Sequence, residues 1–416
     1  MEILKIKGNH LLKGTIEIGG AKNSAVALVP AAILSDEVVI ENVPNISDVR
    51  ALEEIINYLG AEYYKEGTKI TINAKKVKNK AITMEHSQKL RASYYFMGAL
   101  LGKYKKAEMY FPGGCSIGSR PIDLHLQGFE KLGAKITNEG NKYIIKADKL
   151  VGTDIHLRFA SVGATINILL AAVKAEGLTR IINAAKEPEV GNVIDFLISM
   201  GAKIKGKDSD TLVIEGVKKL TGGHVEVIPD RIEAGTYIIA GVMQGDHLKI
   251  DKVMPEHFAS LTETLLKMGA DIEIGDNYVI ANKTPRLKPV DIVTETYPGF
   301  PTDLQQPITS LLTMASGEST ITETIYENRF QNVPYLNAMG ANIEIQEMMI
   351  RIKGPTKFNS KEVITTDLRA GAALILAALC TPGTTVIKEV KHVLRGYENI
   401  IKKLQKVGVK ITQEDV

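Results

Sequence analysis

The residues of this 416-residue chain best placed for chemistry are a thiol, a carboxylate and a scattered set of cations. Cys115 lies in FPGGCSIGSRP, residues 111–121, with glycines on both sides and Arg120 five positions on. Glycines let a backbone close on a ligand, and a neighbouring cation lowers a thiol's pKa, so this spacing makes Cys115 an acid or a nucleophile. The other cysteine, Cys380, stands in AGAALILAALC, where a small apolar side chain is expected, and it is assigned to packing.

Polar residues recur just before runs that carry no charge. Lys22 and Asn23, then Arg91, Ser161, Asp303, the group Asp230, Arg231 and Glu233, and the pair Asp367 and Arg369 all occupy such places. Ionisable side chains avoid buried helices unless they are paired or used, so the recurrence marks helix N-termini. Free N–H groups and the positive end of the helix dipole make those termini anion sites, to which Lys22, Arg91, Arg120, Arg369 and Arg395 add full charges. A doubly anionic small molecule suits that set. Neither GxxxxGK[ST] nor a GxGxxG after a strand occurs, serine hydrolase elbows are absent, and no histidine pair has metal-ligand spacing. No cofactor and no metal are expected.

The elements that hold these residues come from a repeat. A helix-period run ending in Leu/Met/Val-Gly-Ala/Val, followed by alternating residues, occurs six times, with its glycine at Gly60, Gly133, Gly201, Gly269, Gly340 and Gly408. Six units of about 69 residues account for the whole chain. In the first, Val49, Leu52, Ile55, Ile56 and Leu59 share one helical stripe and Gly60 can take the left-handed conformation that ends it. Upstream in every unit lies a charge-free helix, from AVALVPAAIL to AGAALILAALC, apolar all round and so internal. Each unit therefore reads as an entering strand, a buried helix, strands, an amphipathic helix and a closing strand pair, which is α/β. Six buried helices would crowd one core, so two lobes of three repeats are expected.

Composition limits the partners. With 51 basic against 48 acidic residues the net charge is +3, which leaves no electrostatic footprint for nucleic acid and no basic lining for a DNA clamp. Two cysteines fit a reducing, cytoplasmic setting. MEILKIKGNH lacks the apolar core of a signal peptide, and no apolar run reaches about 18 residues, so no membrane insertion is expected.

Taken together, GGAKNSA at 19–25, PGGCSIGSRPIDLH at 112–125, SVGAT at 161–165, PDRIEAGT at 229–236, FPTDLQ at 300–305, ITETIYENRF at 321–330, TTDLRA at 365–370 and RGYE at 395–398 resemble the enolpyruvyl transferases. The resemblance spans the chain. It implies two inside-out α/β lobes, each of three repeats with buried helices and outer sheets, closing over substrates. It also implies lobe boundaries that spacing does not supply, 21–229 for the lobe with the cysteine loop and 1–20 with 230–416 for the other. The cysteine loop favours the branch that moves enolpyruvate from phosphoenolpyruvate to the 3-hydroxyl of UDP-N-acetylglucosamine, the first committed step of peptidoglycan precursor synthesis; the shikimate branch has no such loop.

By that resemblance Asp303 is the general base toward the sugar hydroxyl. Cys115 is the general acid toward the methylene carbon, the site of an adduct with phosphoenolpyruvate and the target of fosfomycin. Lys22, Arg120 and Arg395 surround the phosphate and carboxylate of phosphoenolpyruvate, with Arg91 and Arg369 nearby. Asn23, the stretch Arg120, Pro121, Ile122, Asp123, Leu124, the stretch Ser161, Val162, Gly163, and Asp303 and Ile325 form the sugar-nucleotide contacts. Leu394 departs from a position expected to be acidic. The competing reading is a regulatory paralogue that binds the sugar nucleotide without chemistry, and intact Cys115, Asp303 and Lys22 argue against it.

Overall fold

The computed structural model describes residues 2–110 and 121–415. The repeat is visible in its backbone. Helix Ser47–Leu59 buries Val49, Leu52, Ile55, Ile56 and Leu59 and is closed by Gly60 at φ 96°. The glycine of each other copy is also left-handed, Gly133 at 99°, Gly201 at 99°, Gly269 at 81°, Gly340 at 108° and Gly408 at 96°. A side chain is strained at such angles, so glycine ends all six helices and turns the chain into the next strand.

Among the described residues the strands form five four-stranded sheets and one three-stranded sheet. In the fifth repeat Asp291–Val293 runs parallel to Gly317–Thr322, with Asp291 opposite Thr320, and helix Thr302–Leu312 crosses between them. Strand Met349–Gly354 then pairs antiparallel with both Gly317–Thr322 and Asn342–Gln346. Ile321, Ile350 and Ile352 alternate inward and are fully buried, while the other faces carry Thr, Arg and Glu. Asp154–His156 and Leu178–Ile182 repeat the pattern about helix Val162–Ala172. The sixth repeat is completed from the other end of the chain: Glu2–Lys7 pairs antiparallel with Thr384–Lys388 and with Lys410–Asp415.

Residues 2–19 with 229–415 form one compact unit, and 20–110 with 121–228 form another. Each holds three of the sheets. The first packs helices Arg231–Gln244, Thr302–Leu312 and Leu368–Cys380 against one another. The second packs Tyr95–Tyr104 against both Lys22–Ala31 and Val162–Ala172. Helices buried almost all round, covered by half-exposed sheets, give the α/β fold with helices inside. Cys380 ends one of these helices and packs at the edge of the apolar core; burial pushes its thiol up to about 12.

The crossing of helices Tyr95–Tyr104 and Val162–Ala172 is glycine-dependent. A Cβ at Gly98 would stand 2.3 Å from the backbone oxygen of Asn167, and one at Gly102 would stand 2.6 Å from that of Leu170. With no side chain in the way, Gly98 N, in the first turn of Tyr95–Tyr104, reaches Asn167 Oδ1 at 2.9 Å. Gly98→Ala must push backbone from backbone, so stability should fall by about 1–3 kcal/mol. Urea denaturation checks this, and an unchanged midpoint would contradict the close crossing.

Candidate active site

In the unit formed by residues 2–19 and 229–415, the centre is Asp303, second residue of helix Thr302–Leu312. Arg329 Nη2 donates to Asp303 Oδ1 at 2.7 Å and Arg369 Nη2 donates to Oδ2 at 3.0 Å. The arginine side chains are only 3% and 5% exposed, and the carboxylate is 27% exposed. Each guanidinium also lies over an aromatic ring, Arg329 over Tyr326 at 5.4 Å and Arg369 over Tyr397 at 5.3 Å. The helix dipole favours a carboxylate at this end, and two fixed cations orient both its oxygens.

Arg369 is placed by its own helix start. Asp367 caps Leu368–Cys380, accepting from Arg369 N at 2.8 Å and Ala370 N at 3.0 Å, and it also accepts from Gln306 Nε2 at 3.2 Å. The two helix N-termini are thereby tied together. Asp230 caps the third helix, Arg231–Gln244, taking the N–H groups of Ile232 and Glu233, both at 2.9 Å. Arg231 lies over the Tyr297 ring. Glu233 is buried, and burial raises its carboxyl to about 7 despite Lys403 Nζ at 2.6 Å. Arg395 follows the short helix Lys391–Leu394, and Leu394 packs against the core. Ile325 is half-buried in the segment after strand Gly317–Thr322, its N–H donating to Glu323.

The other unit holds the remaining described candidates. Lys22 opens helix Lys22–Ala31; its Nζ lies 3.3 Å from Asp48 Oδ2 and donates to Asn23 Oδ1 at 3.3 Å. Asp48, 4% exposed in the first turn of Ser47–Leu59, is the buried counter-charge that holds this lysine. Arg91 opens the short turn Arg91–Tyr94 that leads into the buried helix Tyr95–Tyr104. Ser161 caps Val162–Ala172 by accepting from Ala164 N at 3.3 Å, which puts Val162 and Gly163 in the first turn. Asp123 opens Asp123–Lys131 and pairs with Arg158 at 2.7 Å, while Pro121 is exposed. Ile122 and Leu124 are 5% and 4% exposed, so their side chains belong to the core and only their backbone is left for a ligand.

His125 ties that core to the Ser161 helix. Asn167 Oδ1 takes the Gly98 N–H, so its amide nitrogen donates to His125 Nδ1 at 2.9 Å, which leaves the ring's proton on Nε2. The ring lies edge-on to Tyr94, and a Cβ at Gly163 would stand 2.9 Å from His125 Cε1 and 2.9 Å from Tyr94 Oη. Gly163 is therefore required for this first turn to sit on the histidine.

Cys115 and Arg120 lie outside the described residues. The sequence reading passed over Arg329, Asp48 and His125. Arg329 lies in ITETIYENRF, and a lone arginine there, between strand and helix, is the sequence signal for a partner of Asp303. Among the described residues no group of His, Cys, Asp and Glu could hold a metal ion, and no helix is long and apolar enough to cross a membrane.

The repeat, the inward helices and the charged helix starts define an enolpyruvyl transferase: the chain belongs to the family described as EPSP synthase (3-phosphoshikimate 1-carboxyvinyltransferase), whose profile matches residues 6–404. Within that family it is 48% identical to UDP-N-acetylglucosamine 1-carboxyvinyltransferase 2 of Geobacillus kaustophilus over 415 residues, covering 100% of this chain and 97% of the relative. The protein of the same name from Listeria monocytogenes is 47% identical, over 99% of this chain and 97% of its own. Among solved structures, the enolpyruvyl transferase NikO from Streptomyces tendae aligns with a TM-score of 0.91 at 28% identity, covering 100% of this chain and 99% of that one. EPSP synthase from Acinetobacter baumannii shares the fold with a TM-score of 0.75 at 18% identity, with both chains fully covered.

Burial, and then the charge of Arg91, push His125 down to about 3, against the opposing pull of Asp123. A ring held neutral below its ordinary value of 6.5 contributes stability that is complete above about pH 6.5 and is lost as pH falls toward 3. The stability difference between the wild-type protein and His125→Gln should therefore shrink by about 2 kcal/mol between pH 7 and pH 4.5. Urea titrations at the two pH values measure it; a pH-independent difference contradicts the neutral ring.

Proposed function

We propose that this enzyme transfers the enolpyruvyl group of phosphoenolpyruvate to the 3-hydroxyl of UDP-N-acetylglucosamine and releases phosphate, the first committed step of peptidoglycan precursor synthesis, in the cytoplasm. The single observation that carries the reading is Asp303 held between two buried arginines in a chain 48% identical, end to end, to relatives bearing that activity's name. Neither a metal nor an organic cofactor is needed for addition and elimination of this kind.

The chemistry follows from what each group can supply. Asp303 takes the proton of the 3-hydroxyl as its oxygen bonds to C2 of phosphoenolpyruvate, a transfer that needs direct hydrogen-bond approach. Cys115, as a thiol, delivers a proton to the methylene carbon, so the addition yields a phosphorylated tetrahedral intermediate. Loss of a methyl proton and cleavage of the C2–O bond to phosphate restore the vinyl group. Lys22, Arg120 and Arg395 serve the phosphate and carboxylate of the donor, with Arg91 and Arg369 alongside, as preorganised charge where anionic character develops. Donor anions arriving near Arg369 give that guanidinium a second partner, which loosens its hold on Asp303 and raises the carboxyl's proton affinity when it is needed.

UDP-N-acetylglucosamine is received by Asn23, by residues 120–124, by the helix start Ser161–Gly163, and by Asp303 and Ile325. The N–H groups at the Ser161 helix start suit a diphosphate, and the burial of the Ile122 and Leu124 side chains favours recognition through their backbone.

Mixing the protein with both substrates should release one phosphate for each enolpyruvyl group added to the sugar nucleotide, read by phosphate assay and mass spectrometry. Binding of UDP-N-acetylglucosamine with no phosphate released would instead indicate a non-catalytic paralogue. Incubation with fosfomycin should give one covalent adduct, located by peptide mapping on Cys115, because a thiolate opens the epoxide. An adduct elsewhere would unseat the cysteine assignment.

A further inference from the structure

We propose that Glu323 is a positioning residue that fixes the Arg329–Asp303 pair for proton removal from the acceptor hydroxyl. This role rests on Asp303 acting as the base.

Glu323 follows strand Gly317–Thr322 and is 1% exposed, a placement that costs free energy unless its carboxylate is satisfied. Its Oε1 accepts from Ile325 N at 2.9 Å and from Tyr326 N at 3.2 Å. Those two bonds alone would make an ordinary local turn. The third donor is not local: Thr302 Oγ1 lies 3.0 Å from both carboxylate oxygens, and Thr302 is the first residue of the helix whose second residue is Asp303.

The contacts form a closed circuit. Thr302 holds Glu323, Glu323 holds the backbone at Tyr326, the Tyr326 ring supports the Arg329 guanidinium, and Arg329 returns to Asp303, next to Thr302 in the chain. Thr324 adds a second anchor, donating its N–H to Thr294 Oγ1 at 2.9 Å. Among the described residues Arg329 Nε is buried without a hydrogen-bond partner, so the guanidinium is held by its ring contact and its bond to Asp303 and depends on the segment beneath it. Untying Glu323 lets that segment drift. Arg329 then retreats from Asp303, and a carboxylate that loses an adjacent cation binds its proton more tightly.

The test compares Glu323→Ala, Thr302→Val and Thr302→Ser with the wild-type protein, reading kcat, KM and the pH dependence of kcat by phosphate release. The two untying variants should lose roughly 10- to 100-fold in kcat, with the acid limb of the profile moved to higher pH. The double variant should be no slower than Glu323→Ala, and Thr302→Ser should restore the wild-type profile. An unmoved acid limb, whether or not kcat falls, overturns the proposal, since a merely structural defect lowers the rate without retuning the base. Wild-type turnover is judged separately and decides the reading of the reaction. Independently of turnover, the NMR titration of a 13C-labelled Asp303 carboxyl should move upward in Glu323→Ala, and an unchanged titration again overturns the role.

Discussion

Two guanidiniums with almost no access to water share one carboxylate at the start of a buried helix, and the rest of the site is arranged around that arrangement. Taking arginine out of water is costly, and the cost is recovered only where geometry is held closely and the donors are matched. Asp303 supplies one oxygen to Arg329 and the other to Arg369, and rings of Tyr326 and Tyr397 lie under the cations. Breaking either pair would strand a buried charge. The fold therefore cannot relax at this point without losing stability, and the same rigidity suits the proposed role of Asp303 as a base.

What supplies the rigidity is the inside-out arrangement. Because the apolar helices face inward and the sheets outward, the polar residues at the helix starts bring charge to the interior, joined by Arg329 and Glu323 from the segment after strand Gly317–Thr322. Asp230, Asp367 and Ser161 spend their side chains on capping, while Lys22, Arg369 and Asp303 stand one or two residues inside their helices, where the proposed chemistry needs them. In the other unit a core contact reaches a proposed ligand segment in three steps: Gly98 fixes Asn167, Asn167 orients His125, and His125 lies against Gly163. Packing and site are not separable there.

Much of this was legible in the sequence because the governing constraints are local. A left-handed backbone at each helix end demands glycine, and the six glycines announce the repeat. An all-apolar run must be internal, so the buried helices and the polar residues at their starts could be read directly, and the α/β architecture with it. What escaped was set by tertiary contact. Arg329 and Glu323 lie in a segment with no helical or strand period, and only the fold buries them and turns them toward the Asp303 helix. Asp48 looks like a surface charge in an amphipathic helix until Lys22 is found beside it. The strand Glu2–Lys7 closes a sheet whose other members lie near the far end of the chain, a pairing no local pattern announces.

The central claim is that Asp303, oriented by Arg329 and Arg369, accepts the proton of the acceptor hydroxyl. Single-turnover kinetics of Asp303→Asn with both substrates bound test it most directly, because asparagine keeps the shape and one acceptor oxygen but cannot take the proton. The account predicts a rate lower by roughly 100- to 10,000-fold with UDP-N-acetylglucosamine still bound. An undiminished single-turnover rate would contradict it.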